Sequence, residues 1–289
     1  MRADGRRVKN LDPMNLIEPY IMDKRYDAMN MITLDIPVEP MQEYIKKRRR
    51  AGRPVSHMAL VLAAYLRAAW EFPRINRFIV NKRIYERNEF CVAMVVLKPG
   101  DDDNATMSKI YFDMTDDIDT VQEKVENFVS ENKVEESANS MDDLMYTLVR
   151  IPGLLNITIK LFKFMDKRGW LPKSLIDASP FHASMSLTNL ASIRTNHIYH
   201  HVYEFGTTSV FVAMGNLRDT PFREKDEVVF KRCLPLGVVM DERICSGSYF
   251  ARAFSRFRKY LDDPTLLEGP PVEKQAAEKQ PMEKQAAEA

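Results

Sequence analysis

The sequence predicts a single α/β domain on a mixed β-sheet, and three features lead there. Short runs rich in Val, Ile and Thr recur between residues 29 and 241, as buried strands require. Segments of helical periodicity with caps and stop signals lie between them. The two kinds are interleaved without strict alternation, which points to one domain of about 265 residues. At 45% hydrophobic and 29% charged, the chain has enough apolar residues for a substantial core.

Residues 1–24 read as an irregular lead-in punctuated by Pro13 and Pro19. "MNMITLDIPV" (29–38) is a strand closed by Pro37, and "PMQEYIKKRRRAG" is a helix with a basic end stopped by Gly52. "SHMALVLAAYLRAAWEFP" (56–73) has Ser56 as N-cap, Pro73 as terminator and apolar residues on most sides, so it is a buried helix. The next stretch reads as a hairpin, with a short strand at 78–80, a turn at Asn81-Lys82-Arg83 and a strongly apolar strand at 90–97. An acidic loop and the strand "MSKIYFDMT" lead to a helix over 116–136, then helices at 141–150 and 153–168 broken at Pro152-Gly153. Two further strands lie within 181–192 and 207–217, one or two within 227–241, and a closing helix spans 248–261. The near-repetitive tail, 269–289, is too poor in apolar residues to fold.

A net charge of +1 gives no general reason to expect nucleic acid or membrane partners. The basic run 46–50 is either a solvated last helical turn or a nucleic-acid contact. Cys91, Cys233 and Cys245 are too scattered for a zinc site or a disulfide framework. The most apolar stretch, 147–166, is interrupted by Arg150, Pro152, Lys160 and Lys163, and falls short of a membrane span. The N-terminus lacks the apolar region of a secretory signal, so the expected location is cytoplasmic.

His57 reads as structural. "NHIYHHVYEFG" gathers His197, His200 and His201 in a spacing too loose for a metal site, and no metal is expected. The three aspartates 101–103 form either a solvated loop or a hard-cation site. Serine-elbow, Walker and dinucleotide-binding motifs are absent. In "SMSLTNL", period-2 alternation puts Ser184, Ser186 and Thr188 on one face. That row either faces solvent or lines a polar cavity, where a hydroxyl could donate to a developing oxyanion.

"SLTNLAS", "TTSVFVAMG" and "LGVVMDERICSGSYFARAFSRFRKYLDDPTLLE" together resemble the C-terminal half of the 2-oxoacid dehydrogenase acyltransferase catalytic domain, a family that includes dihydrolipoyl acyltransferases and resembles chloramphenicol acetyltransferase. "MITLDIPVEPM" and "HMALVLAAYLRAAWEFPRINRFI" fit its N-terminal half, so the resemblance spans residues 25–268. It implies a two-layer α/β sandwich with a mixed sheet, a homotrimer with active sites between subunits, and acyl transfer between coenzyme A (or a lipoyl-type thiol) and a thiol or hydroxyl acceptor. Coenzyme A or acyl-coenzyme A would be the only cofactor, as substrate. The layout looks free-standing, like chloramphenicol acetyltransferase.

Laid onto the family's H-x-x-x-D-G element, "DERICSG" has Glu242 for the base histidine and Ser246 for the aspartate; Gly247 matches. Thr188 and Asn189 match the S-N-L segment, with Thr188 or Ser186 as oxyanion donor. A carboxylate of ordinary pKa ~4.3 is a poor base for a thiol of ~8.5. Arg243 turned inward would weaken it further, and Ser246 can cap the helix but cannot brace the loop ionically. Two readings follow: an acyltransferase with Glu242 as an unusual base, aided by a histidine of 197–201, or a pseudoenzyme serving as a trimeric binding or assembly module.

Overall fold

The computed structural model describes residues 2–97, 105–133, 150 and 153–271. The expected helix at 141–149, the aspartates 101–103 and all but the first three residues of the tail lie outside them.

The order of elements is β1 (Gly5–Arg7), α1 (Pro13–Ile21), β2 (Met29–Pro37), α2 (Glu39–Arg50), α3 (His57–Glu71), β3 (Arg77–Val80), β4 (Arg83–Arg87), β5 (Phe90–Leu97), β6 (Ala105–Phe112) and α4 (Ile118–Lys133). The second half runs α5 (Leu154–Arg168), α6 (Lys173–Ala178), β7 (Met185–Asn189), β8 (Val210–Met214), β9 (Arg218–Glu224), β10 (Glu227–Asp241) and α7 (Gly247–Asp262). The main sheet is ordered β2-β10-β8-β7-β5-β6, with β9 also pairing β10. It is mixed: β5, β7 and β8 run parallel, while β10 is antiparallel to β2, β8 and β9.

Two sequence readings are corrected. Residues 1–24 are not irregular throughout, because Asp12 accepts from the Met14 N–H and Pro13 occupies the first turn, starting α1. The partner of β3 is β4, not the apolar strand 90–97. Asn81 and Lys82 both take positive φ, giving a tight two-residue turn that folds β3 back at once. β1, β4 and β3 form a separate small sheet, while β5 pairs β6 and β7 in the main one.

The main sheet has two different faces. Leu234, Leu236, Val238 and Met240 of β10 share a core with Leu60, Leu62 and Tyr65 of α3 and with Phe250, Phe254 and Phe257 of α7. Burying each such side chain contributes about 1.5–3 kcal/mol. Ser56 caps α3 through the Ala59 N–H, as its sequence implied. The opposite face is covered by residues 194–206, which lie flat against the strands. Gly237 and Gly215 are glycines for this reason, since a Cβ at either would strike the backbone of Ile198 or His197.

Candidate active site

The elbow at the end of β10 is built around one buried charge. Asp241 follows the apolar run and is fully buried. Arg243 closes a two-pronged ion pair on it, Nε to Oδ1 at 2.8 Å and Nη2 to Oδ2 at 2.7 Å. Arg25 donates to Oδ2 at 3.4 Å and to the carbonyls of Tyr203, Ile79 and Gly206. Arg243 also donates to the Met22 carbonyl at 2.8 Å, tying the elbow to the end of α1. A buried pair so well matched resists bending of the loop, because losing either partner strands a charge in the interior.

Ser246 does what a cap residue must: its Oγ accepts from the Tyr249 N–H at 3.4 Å and starts α7. The brace that the family resemblance assigned to this position comes instead from Asp241. Arg243 turns inward to Asp241, so its charge is spent there. Burial pushes Cys245 up to about 12, leaving it a thiol at neutral pH.

Glu242 projects from this rigid turn. It is half-buried, and the Asn30 side-chain amide of β2 donates to its Oε2. Glu18 of α1 lies near enough that burial and the Glu242 charge together raise its carboxyl above the usual range.

The other predicted residues lie on β7, with Ser184 just before it. Ser184 and Ser186 are buried, and Thr188 and Asn189 are half-buried at the strand end. Their face is neither solvated nor an open cavity near Ser186: that residue pairs with Phe211, over which His200 stacks at 4.1 Å. The Ser186 hydroxyl has no partner. Thr188 is the one hydroxyl of the row that is partly exposed. It lines up with Ala213 and Gly237 across two strands. Glu242 comes five residues after Gly237, in the turn just past the end of β10, roughly 20 Å from Thr188 at ordinary strand spacings. Within one chain the two do not meet.

His197 lies over the strands beside that row, against Gly215 and Gly237. Its ring packs over Gly237, and Nε2 lies 3.1 Å from the Thr33 hydroxyl, which also bonds the Tyr199 hydroxyl. Burial and the Arg218 charge hold its pKa below the ordinary value, so it is neutral at neutral pH. His201 is exposed, its ring tilted against His200 and edge-on to Tyr203. Among the described residues no group of three His, Cys, Asp or Glu side chains could hold a metal ion. None of their helices is long and apolar enough to cross a membrane.

Sequence reasoning missed a second buried cluster. Arg2 donates to Asp4 and Asp166, and His182 sits between Asp166 (3.4 Å) and the Ser179 hydroxyl (2.8 Å). Burial alone would raise the Asp166 carboxyl, but the His182 hydrogen bond and the Arg2 charge hold it below the usual range. Its partners are 164 residues apart in sequence, so no local pattern announces it.

Residues 182–268 match the family model of the 2-oxoacid dehydrogenases acyltransferase (catalytic domain). No curated protein sequence matches. Among solved structures, the chain is similar to Azotobacter vinelandii dihydrolipoamide acetyltransferase, at 11% identity and TM-score 0.57, covering 90% of this chain and 93% of that one. A serine, a histidine and an asparagine have been investigated in that enzyme's catalytic mechanism. The cubic core of a pyruvate dehydrogenase multienzyme complex gives 11% and 0.56, over 90% and 93% of the two chains. A chloramphenicol acetyltransferase gives 11% and 0.54, over 89% and 99%. The fold is that of these acyltransferase cores, and the family match covers the C-terminal motifs, within 182–268.

Proposed function

We propose that this protein transfers an acyl group between coenzyme A, or a lipoyl-type thiol, and a thiol or hydroxyl acceptor, within a homotrimer. One observation carries the reading: the elbow is built to hold a side chain still. Asp241, Arg25 and Arg243 fix the turn from below, Ser246 fixes the start of α7, and Glu242 is the residue the turn presents.

The roughly 20 Å between Glu242 and Thr188 in one chain fits a site shared by two subunits, each giving one half. Glu242 would take the acceptor's proton as that oxygen or sulfur attacks the thioester carbonyl. Thr188 of the neighbouring copy would donate to the tetrahedral oxyanion. The carbon–sulfur bond then breaks, and the departing thiolate regains the proton. With a carboxylate as base, general-base assistance falls well short of its usual 10²–10⁴-fold.

A second reading, an inactive relative acting as a trimeric binding or assembly module, is favoured by the Asn30 amide on Glu242, which occupies a carboxylate oxygen that a base would need free. Thiol release from acyl-coenzyme A, with thiol and alcohol acceptors, separates the two. Under the first reading wild type exceeds Glu242→Gln at least tenfold, and Glu242→His exceeds wild type. If wild type equals the Gln variant at background, the second reading holds. Saturating acyl-coenzyme A should raise the melting temperature if the donor site is retained.

A further inference from the structure

Among the described residues, one face of helix α5 is left exposed, and its composition is unusual. Its inner side, Ile159, Phe162, Met165 and Asp166, packs toward the protein, and Asp166, the only carboxylate in the helix, is turned inward to Arg2 and His182. The outer side has an apolar stripe, Ile157 (65% exposed), Leu161 (52%) and Phe164 (47%), spaced i, i+4, i+7. Beside it runs a second stripe of exposed lysines, Lys160, Lys163 and Lys167. Trp170, 60% exposed, follows the helix and packs edge-on against Phe164.

α1 extends the surface. Its Met14, Ile17, Tyr20 and Ile21 are all at least half exposed. The two helices border one cleft of about 510 Å³, lined by Pro19 of α1, Lys160, Lys163 and Phe164 of α5, and by Asp23 and Glu204; Asp23 is neutralised by Lys82 of the β3–β4 turn at 3.2 Å. Among the described residues, Lys160, Lys163 and Lys167 make no ion pair (within 4 Å). Exposed tryptophan and leucine beside unpaired lysines, with no outward carboxylate on α5, is the composition of a helix that lies in a lipid headgroup layer.

We propose that the α1–α5 face docks on the surface of an anionic phospholipid bilayer. Ile157, Leu161, Phe164 and Trp170 enter the boundary between headgroups and acyl chains, while the lysine stripe meets lipid phosphates. A second copy across a two-fold axis is a poorer occupant, since lysine stripe would meet lysine stripe; a contact within the proposed trimer is the contrary outcome of the test below. The inference does not depend on the acyl-transfer reading, and it concerns the surface only, not insertion across a membrane.

The test is co-sedimentation of the full chain with sonicated vesicles of phosphatidylcholine alone, or of phosphatidylcholine and phosphatidylglycerol in equal parts, at low salt. Binding is expected to the anionic vesicles only, with a blue shift in tryptophan emission that Trp170→Phe removes. Each lysine of the stripe changed to Gln should weaken partitioning about fivefold, and added salt should weaken it further. Leu161→Ser/Phe164→Ser should abolish it with circular dichroism and melting temperature unchanged. The proposal is overturned by absent or lipid-independent binding, or by variants that partition like wild type. It is equally overturned if Leu161→Ser/Phe164→Ser instead lowers the oligomer mass in light scattering, which would make the face a contact between copies.

Discussion

On one side of β10, Leu234, Leu236, Val238 and Met240 disappear into a dry core shared with α3 and α7; at its end, Asp241 is equally buried but held by two arginines. The apolar side is stabilised by area and packing, which many side chains of similar volume could supply. The ionic end depends on particular atoms meeting, and it is the end that carries Glu242. Stability is thus distributed over the helix side, whereas the geometry of the candidate site is concentrated in a few charged contacts.

Substitutions can break this contrast. Asp241→Asn keeps shape but strands Arg25 and Arg243, and should cost about 3–5 kcal/mol, read as a lowered urea midpoint or loss of soluble protein. Leu60→Ala on the apolar side should cost about 2–5 kcal/mol, yet Leu60→Met, which keeps volume, less than about 1.5. If Asp241→Asn proved as mild as Leu60→Met, the elbow would not be a rigid charge-held turn. Ser246→Ala removes the α7 cap and should cost about 1 kcal/mol, with Ser246→Asp close to wild type.

The smallest effect is a pH dependence. Burial lowers the His57 pKa, and its Nε2 has no partner. The unfolded chain therefore binds this proton more readily than the folded one. The resulting stability is present above the ordinary histidine pKa, ~6.5, and is lost as pH falls towards the folded value. His57→Gln should flatten the decline in melting temperature on acidification. His197, also lowered, should leave a residual slope.

Much of this was legible in the sequence, for local reasons. Ser56 and Ser246 announce α3 and α7 because caps act within three residues. The apolar run before Asp241 announces β10 because a strand buried on both faces reads as continuous hydrophobicity. The small sheet was misread because Lys82 in a left-handed turn carries no glycine signal. Asp241 was visible as a lone charge closing an apolar strand, but its grip by Arg25 spans 216 residues and leaves no periodic trace. The separation of Glu242 from Thr188 depends on β7 and β10 being two strands apart, which sheet order alone decides.

Subunit complementation tests the central claim most directly. Glu242→Gln and Thr188→Val, each depleted in thiol release from acyl-coenzyme A, are unfolded together in denaturant, refolded as a mixture and assayed. Shared sites in random trimers should restore about one quarter of wild-type activity, since each site draws one half from each of two copies. Recovery no greater than the average of the two separate variants would contradict a site assembled from the elbow of one subunit and β7 of the next.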